Sequence, residues 1–267
     1  MRKFGVLLIV IGLIGMIFTA KSFFARQTLS DAQSYPSERI EQIIIDSNYA
    51  DVKVLPTDEN NIIVTLEGDV KEEGKRSVAE IVSVNENAGK LYIDATRSWF
   101  LNISFFNFKL HDREDLTIYL PEKYYERMTI TNDVGKTTVN DVTIDQLVVE
   151  NSVANTIIEN VKAKMITAEN NVGNITLTNN IGKIYAENDV GNISVGMVEI
   201  NDDLTFKANV GKIELLIPDI TNDITFKANT SLGSVKIFGE NGSFINKFAE
   251  HIVSMTTDIG NITVDVQ

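Results

Sequence analysis

The chain has 267 residues, 43% of them hydrophobic, with 24 Lys+Arg against 37 Asp+Glu and a net charge of −13. That length and apolar content fit one large or two small folded domains and exclude a disordered chain. The absence of cysteine excludes disulfides, thiolate zinc sites and cysteine nucleophiles. The acidic balance argues against a nucleic-acid partner, whose phosphates need Lys and Arg.

The charge is unevenly spread. Residues 1–26 hold Arg2, Lys3, Lys21 and Arg26 and no acid, a net +4, which leaves −17 for the rest. Between the basic pairs lies the uncharged run FGVLLIVIGLIGMIFTA, residues 4–20. Seventeen residues is about the minimum for crossing a bilayer, and Phe23 and Phe24 extend the run if Lys21 snorkels. A cleaved signal peptide needs small residues at its cleavage site. The candidates Phe18-Thr19-Ala20 and Phe23-Phe24-Ala25 put Phe there. A lipoprotein signal is excluded without Cys. The sequence therefore predicts an uncleaved membrane anchor over 1–26 with its amino terminus in the cytoplasm. A juxtamembrane linker over 27–37 comes next, and the bulk of the chain lies outside the cytoplasmic membrane.

Residues 38–127 read as strands with polar turns, as in RIEQIIIDSNYADVKVLP, NNIIVTLEG and DLTIYLP. No Gly/Ser/Pro linker separates them from residues 128–267, so one continuous body is expected.

From residue 128 onward a repeat dominates. It reads NDVGKTTV (132–139), NSVANTII (151–158), NNVGNITL (170–177), NDVGNISV (188–195), ANVGKIEL (208–215), TSLGSVKI (230–237) and TDIGNITV (257–264). The glycine column is Gly135, Gly173, Gly191, Gly211, Gly233 and Gly260, with Ala154 replacing Gly once. These are structural turn positions, where a backbone at positive φ would favour Gly. A further Gly, Gly182 in NNIGKIYA, reads as a half-unit. Two and four residues after the column stand apolar residues such as Ile175 and Leu177, with polar ones between. That period of two is a half-buried strand. Alternation resumes before the turn at pairs such as Leu147/Val149 and Ile166/Ala168, so each unit is strand, sharp turn, strand. Asn132, Asn151, Asn170 and Asn188 lie three before the column and are expected to form an amide ladder.

A unit of about 19 residues cannot fold alone and must bury its apolar face on the next. The fold class is therefore all-β, a right-handed parallel β-solenoid over 128–267. Seven coils at roughly 4.8 Å make a stack of about 34 Å. A propeller needs units near 40 residues, and an antiparallel sandwich would not align the glycines. The long Gly233–Gly260 interval reads as an insertion or partial cap.

At this point the chain resembles a family. The stretches IDSNYADVKVLPTDENNIIVTLEG and DLTIYLPEKYYERMTITNDVGKTTV, and the N-x-V-G-x-I-x-V units, are similar to the "putative adhesin" domain of LiaG-like proteins, membrane-anchored envelope proteins of Gram-positive bacteria. The resemblance covers roughly residues 40–267 and includes the anchor. It implies a surface or envelope-stress role and supplies no catalytic residues.

Chemical motifs are sparse. There is no G-x-S-x-G elbow, P-loop or H-E-x-x-H. His111, among Asp112, Glu114 and Asp115, has the residue types of a metal or acid–base site but reads as a solvated turn, and His251 as a surface or capping residue. Asp133, Asp189 and Asp258 on the turn edge could in principle hold Ca²⁺, but turn chemistry explains them better. N-x-S/T triplets arise from the repeat itself. The segment 98–110, with Trp99, Phe100, Phe105, Phe106 and Phe108, is a candidate interaction surface, or else a buried or capping strand.

The sequence thus predicts a non-enzymatic surface interaction module, with no cofactor or metal. Its partners would be the cytoplasmic membrane and an envelope or membrane protein. The competing readings are a glycan-active enzyme on a β-helix scaffold and a structural partner of a membrane sensor.

Overall fold

Period-two alternation puts Leu147, Val149, Ile166, Ala168, Ile184 and Ala186 on one face of successive strands, where each is essentially inaccessible to solvent. A second, shorter strand in each unit does the same with Val139, Ile158, Leu177 and Val195. Two apolar faces per unit require two sheets. The computed structural model, described for residues 27–28, 31–67, 69–70, 82–96, 114–220, 223–246 and 249–267, has that architecture. A ten-stranded and a twelve-stranded sheet enclose one hydrophobic cluster running from Ile40 to Val264. The fold is a parallel β-solenoid, and each coil gives one strand to each sheet.

In the repeat the coils pair Arg127–Val134 with Thr137–Asn140, Thr143–Val153 with Thr156–Glu159, Lys162–Val172 with Ile175–Thr178, Ile181–Val190 with Ile193–Gly196, and Leu204–Val210 with Ile213–Ile217. Strand neighbours are parallel and keep the sequence columns in register, as in Asn132↔Asn151 and Asn151↔Asn170. The same sheets continue into residues 38–127. Gln42–Ser47 and Asp51–Thr57 stack directly on the coil 127–140, and Lys90–Ala95 and Asp115–Pro121 stack outside them.

Stack order departs from chain order at both ends. At the carboxyl end, Ile224–Leu232 and Val235–Ile237 form the outermost coil. The last strands, His251–Ile259 and Ile262–Val266, insert between that coil and 204–217. The long Gly233–Gly260 interval is this excursion out and back. Its turn carries the antiparallel pair Lys236↔Asn241 and the bridge Phe226↔Phe244. Antiparallel strands also close the other end, where Ser83–Asn87 lies on 90–95, Asn61–Glu67 on 115–121 and Asp31–Pro36 on 61–67. Reversing the pairing at each end blunts an edge that would otherwise template further strands.

Two expectations are corrected. Gly182 is not the turn of a half-coil. It lies in the strand Ile181–Val190 on the opposite edge, with φ 116°, and a Cβ there would sit 1.8 Å from the Ala163 carbonyl oxygen. The asparagines do not bond amide to amide. Each is buried and bonds the turn backbone or neighbouring threonines. The anchor residues 4–24, the aromatic residues Trp99, Phe100, Phe105, Phe106 and Phe108, and His111 lie outside the described residues. Among the described residues no helix is long and apolar enough to cross a membrane.

Candidate functional site

Three surfaces of the stack carry chemistry: the turn edge, the outer face of the ten-stranded sheet, and a cleft near the amino-terminal end.

The turn edge is fixed from within. Gly173 and Gly191 have φ 138° and 137°, and a Cβ on Gly191 would sit 1.7 Å from the carbonyl oxygen of Gly173. The column is glycine because each turn presses onto the backbone of the coil beside it. Asn188 donates to Gly173 O at 2.7 Å, and Asn170 to Ala154 O at 3.1 Å. Threonine completes the inner chain in two coils. Thr137 Oγ1 donates to Asn151 Oδ1 (2.9 Å), Asn151 donates to Thr156 Oγ1 (2.6 Å), and Thr156 Oγ1 donates to Asn170 Oδ1 (2.6 Å). Where the same position is Val52 or Ile175, no hydroxyl exists, and the next amide oxygens, Asn132 Oδ1 and Asn188 Oδ1, are buried without a hydrogen-bond partner. A second, exposed ladder runs alongside. Oδ1 of Asn155, Asn174 and Asn192 accepts from the backbone N–H of Asn174, Asn192 and Lys212 at 2.9–3.0 Å.

The outer face of the ten-stranded sheet carries an acid on five of six consecutive strands. Asp94 is opposite Asp46, Thr131 intervenes, and Glu150, Glu169 and Glu187 continue the row in register. Neighbouring strands are about 4.8 Å apart, so the carboxylates repel. Partial burial, followed by repulsion from Glu150 and Glu187, raises the Glu169 pKa, and burial followed by Asp94 raises that of Asp46. Lys207 ends the row. It lies 4.0 Å from Glu187 and 5.0 Å from the Tyr185 ring centroid, and Tyr185 donates to Glu187. Its three glutamates sit four residues before the turn column, at Ala154, Gly173 and Gly191. That column was visible in the repeat as Glu150, Glu169 and Glu187, but Asp46 and Asp94 could be added only once the early coils were placed in register.

The cleft, of about 410 Å³, is lined by Pro56, Leu120, Pro121, Tyr125 and Val142, with Asp58, Glu122 and Asp141 at its rim. Its lysine is engaged. Lys123 Nζ donates to Ser37 O and Ile40 O at 2.6 Å and lies 5.0 Å from the Tyr125 ring centroid. Burial lowers the Lys123 pKa and raises that of Tyr125. These groups lie on the edge of the stack opposite the glycine turns.

Asp133, Asp189 and Asp258 are not brought together, because uncharged rungs separate them, and Asp189 accepts from Asn209 at 2.8 Å. Among the described residues no three His, Cys, Asp or Glu side chains are placed to share a metal ion. His251 is half-buried at a strand start, with its backbone N–H donating to Asp223 O.

Against known families, the model of Toastrack DUF4097 matches residues 40–180 and again 134–265. The chain belongs to that family. No curated protein matches it. Solved structures similar to it include a "putative cell adhesion protein" from Clostridium sporogenes (12% identity, 90% of this chain and 100% of that one, TM-score 0.43). Others are "putative adhesins" from Bacteroides fragilis (14%, 88% and 96%, 0.45) and Parabacteroides distasonis (12%, 91% and 98%, 0.44).

Proposed function

We propose that this Toastrack DUF4097 protein is a membrane-anchored, extracytoplasmic interaction module that binds a basic surface of an envelope or membrane protein and catalyses no reaction. The observation that carries the reading is the acid row Asp94, Asp46, Glu150, Glu169 and Glu187. It stands on a sheet whose strands are locked in register, so the charges are held at a fixed spacing at little entropic cost on binding. Like charges opposite one another destabilise a sheet, and Lys207 answers this row only at its Glu187 end, which argues that the acids serve something other than the fold. They stand on a sheet face, whereas the cleft lies near the amino-terminal end of the stack. A glycosidase needs two carboxyl groups flanking one bound sugar, and the cleft residues Asp58, Glu122 and Asp141 are all solvent-exposed at its rim. The charge-flanked, uninterrupted apolar run at the amino terminus supports the anchor, as in LiaG-like proteins, and an envelope address for adhesion or stress response.

The test is affinity capture from intact envelopes with the full chain and with the triple variant E150Q/E169Q/E187Q. The native chain should retain a membrane or envelope protein that elutes with salt, and the variant should lose it. Equal capture by both would remove the acid row from the binding site. Fractionation should place the chain in the membrane pellet, released by detergent and not by salt.

A further inference from the structure

The residue before each turn glycine is aliphatic, and it is on the surface. Val134, Val153, Val172, Val190, Val210, Ile259 and Leu232 are each 44–67% exposed. They stand opposite one another rung by rung, in that order along the stack. By alternation each would point inward, but the strand has run past the start of the facing sheet, and among the described residues nothing lies across from it. The result is a continuous aliphatic ridge about 29 Å long at the spacing of paired strands. Its backbone is pinned. The carbonyls of Val172, Val190, Val210, Ile259 and Leu232 each accept the turn N–H of the neighbouring coil at 2.8–3.0 Å. The opposite edge shows that turns of this solenoid need no such residue. There the turn positions are Asp141, Asn160 and Asn179 in left-handed conformation, and the next residues, Val142, Val161 and Asn180, are buried.

The two flanks of the ridge differ in sign. On the side of the ten-stranded sheet stand Asp133, Ser152, Asn171, Asp189, Asn209, Asp258 and Ser231, with three acids and no base. On the other side stand Lys136, Asn155, Asn174, Asn192, Lys212, Asn261 and Ser234, with two bases and no acid.

We infer that the ridge is a self-association surface, and that its occupant is the ridge of a second copy of this chain, related by a two-fold axis parallel to the stack. Three observations favour a second copy. An identical ridge matches the period of about 4.8 Å at every rung, which a surface of different repeat does not. A two-fold axis along the stack sets each acidic flank against the partner's lysine flank, whereas an axis perpendicular to it sets acid on acid. Seven half-exposed aliphatic side chains in one unbroken strip are comparable to the largest apolar patch of a typical monomer, roughly 300–600 Å², which is often functional. The polar flanks bring it to the order of the roughly 800 Å² per partner of a specific interface. This surface is separate from the acid row, so the two readings stand or fall independently.

The chain has no cysteine, which makes site-directed crosslinking clean. Single variants V134C, V153C, V172C, V190C, V210C and L232C of the full chain are treated in membranes with a short bifunctional maleimide. K183C, on the outer face of the ten-stranded sheet, is the control. A parallel two-fold pairing brings every rung to its own copy. All six ridge variants should therefore yield a species of twice the chain mass, and K183C should not. Crosslinking at V190C alone, near the middle of the ridge, would mean antiparallel ridges and overturn the proposal, as would adducts of any other mass or none. V153K/V190K, with both changes at exposed positions, should convert the detergent-solubilised dimer to monomer in sedimentation with an unchanged far-ultraviolet circular dichroism spectrum, its melting temperature falling only by the stabilisation that association supplied. A dimer that persists would also overturn it.

Discussion

The inner Asn–Thr chain makes a sharp energetic prediction. Thr156 Oγ1 accepts from Asn151 and donates to Asn170, both at 2.6 Å, and the side chain is fully buried. Thr156→Val keeps the shape and removes both bonds. It leaves Asn170 Oδ1 without a donor and Asn151 Nδ2 without the hydroxyl it now bonds. An unmatched buried polar atom costs about 1–3 kcal/mol, so the substitution should cost about 2–4 kcal/mol. At roughly 2–4 °C per kcal/mol for a body of this size, the melting temperature falls by at least several degrees. Val52 offers the mirror experiment. It stands beside Thr137 in register, and the orphaned Asn132 Oδ1 is the oxygen that a hydroxyl at position 52 would serve. A buried Val→Thr change ordinarily costs about 1–3 kcal/mol for the desolvated hydroxyl. Val54→Thr, also fully buried, should show that full cost. Val52→Thr should be milder by about 1 kcal/mol or more. Thermal and denaturant melts of the three variants check this. Equal losses for V52T and V54T, or a neutral T156V, would refute the account of the chain.

Gly191→Ala should destabilise by about 3 kcal/mol or more, combining a left-handed φ with a forced backbone shift. Ala154→Gly, at the one column position that is not left-handed, should cost only about 0.4–1 kcal/mol, and melting of the two variants tests the contrast. Glu169→Gln removes a like-charge contact worth about 0.2–1 kcal/mol and should raise the melting temperature at pH 7. Because the folded pKa of Glu169 is raised above its unfolded value, the native carboxyl holds its proton more tightly. Its destabilising contribution therefore grows as pH rises through that interval and disappears below the ordinary carboxylate range. The gain from E169Q should shrink towards zero as pH is lowered to about 4, and a gain that stays constant with pH would contradict the electrostatic origin.

The coil pattern was legible because the same constraint recurs in each repeat. A turn pressed onto its neighbour's carbonyl admits only Gly where φ is positive, and burial on one face enforces period two. The acid row was legible in part, because three of its members share a repeat column and two lie in the irregular early coils. The exposed ridge was hidden by its own residue type. Val before Gly fits the alternation and reads as core, and only the length of the facing strand shows that none of the described residues covers it. The Asn chain was misread as amide-to-amide because the turn carbonyls that compete for its Nδ2 donors have no sequence signature. Stack order was not legible either. Leu204/Phe206, Phe226/Ala228 and Val253/Met255 present the same alternation, so nothing in it says which coil is outermost.

What makes 224–237 outermost is the cap attached to it. Phe226, Phe238 and Phe244 pack edge-to-face and tilted with centroids 5.5–6.4 Å apart. Ser243 both donates to Ala228 O and accepts its N–H, occupying the strand edge. The coil carrying this cap must end the stack, and the uncapped last strands fill the space inside it. The outer coil therefore depends on the chain's final residues. Its long strand has Thr230 donating to Gly260 O at 3.0 Å, and Ser234 N–H donates to Asn261 Oδ1 at 3.0 Å. If the chain were cut after residue 250, the coil 224–237 would lose both of these bonds and the two strands on which it is paired. Truncation should consequently release two coils, not one. Amides of 224–237 should lose hydrogen-exchange protection while those of 143–196 keep it. Retained protection across 224–237 in the truncated chain would show that alternation alone is enough to seat a coil, and that the cap does not set the order.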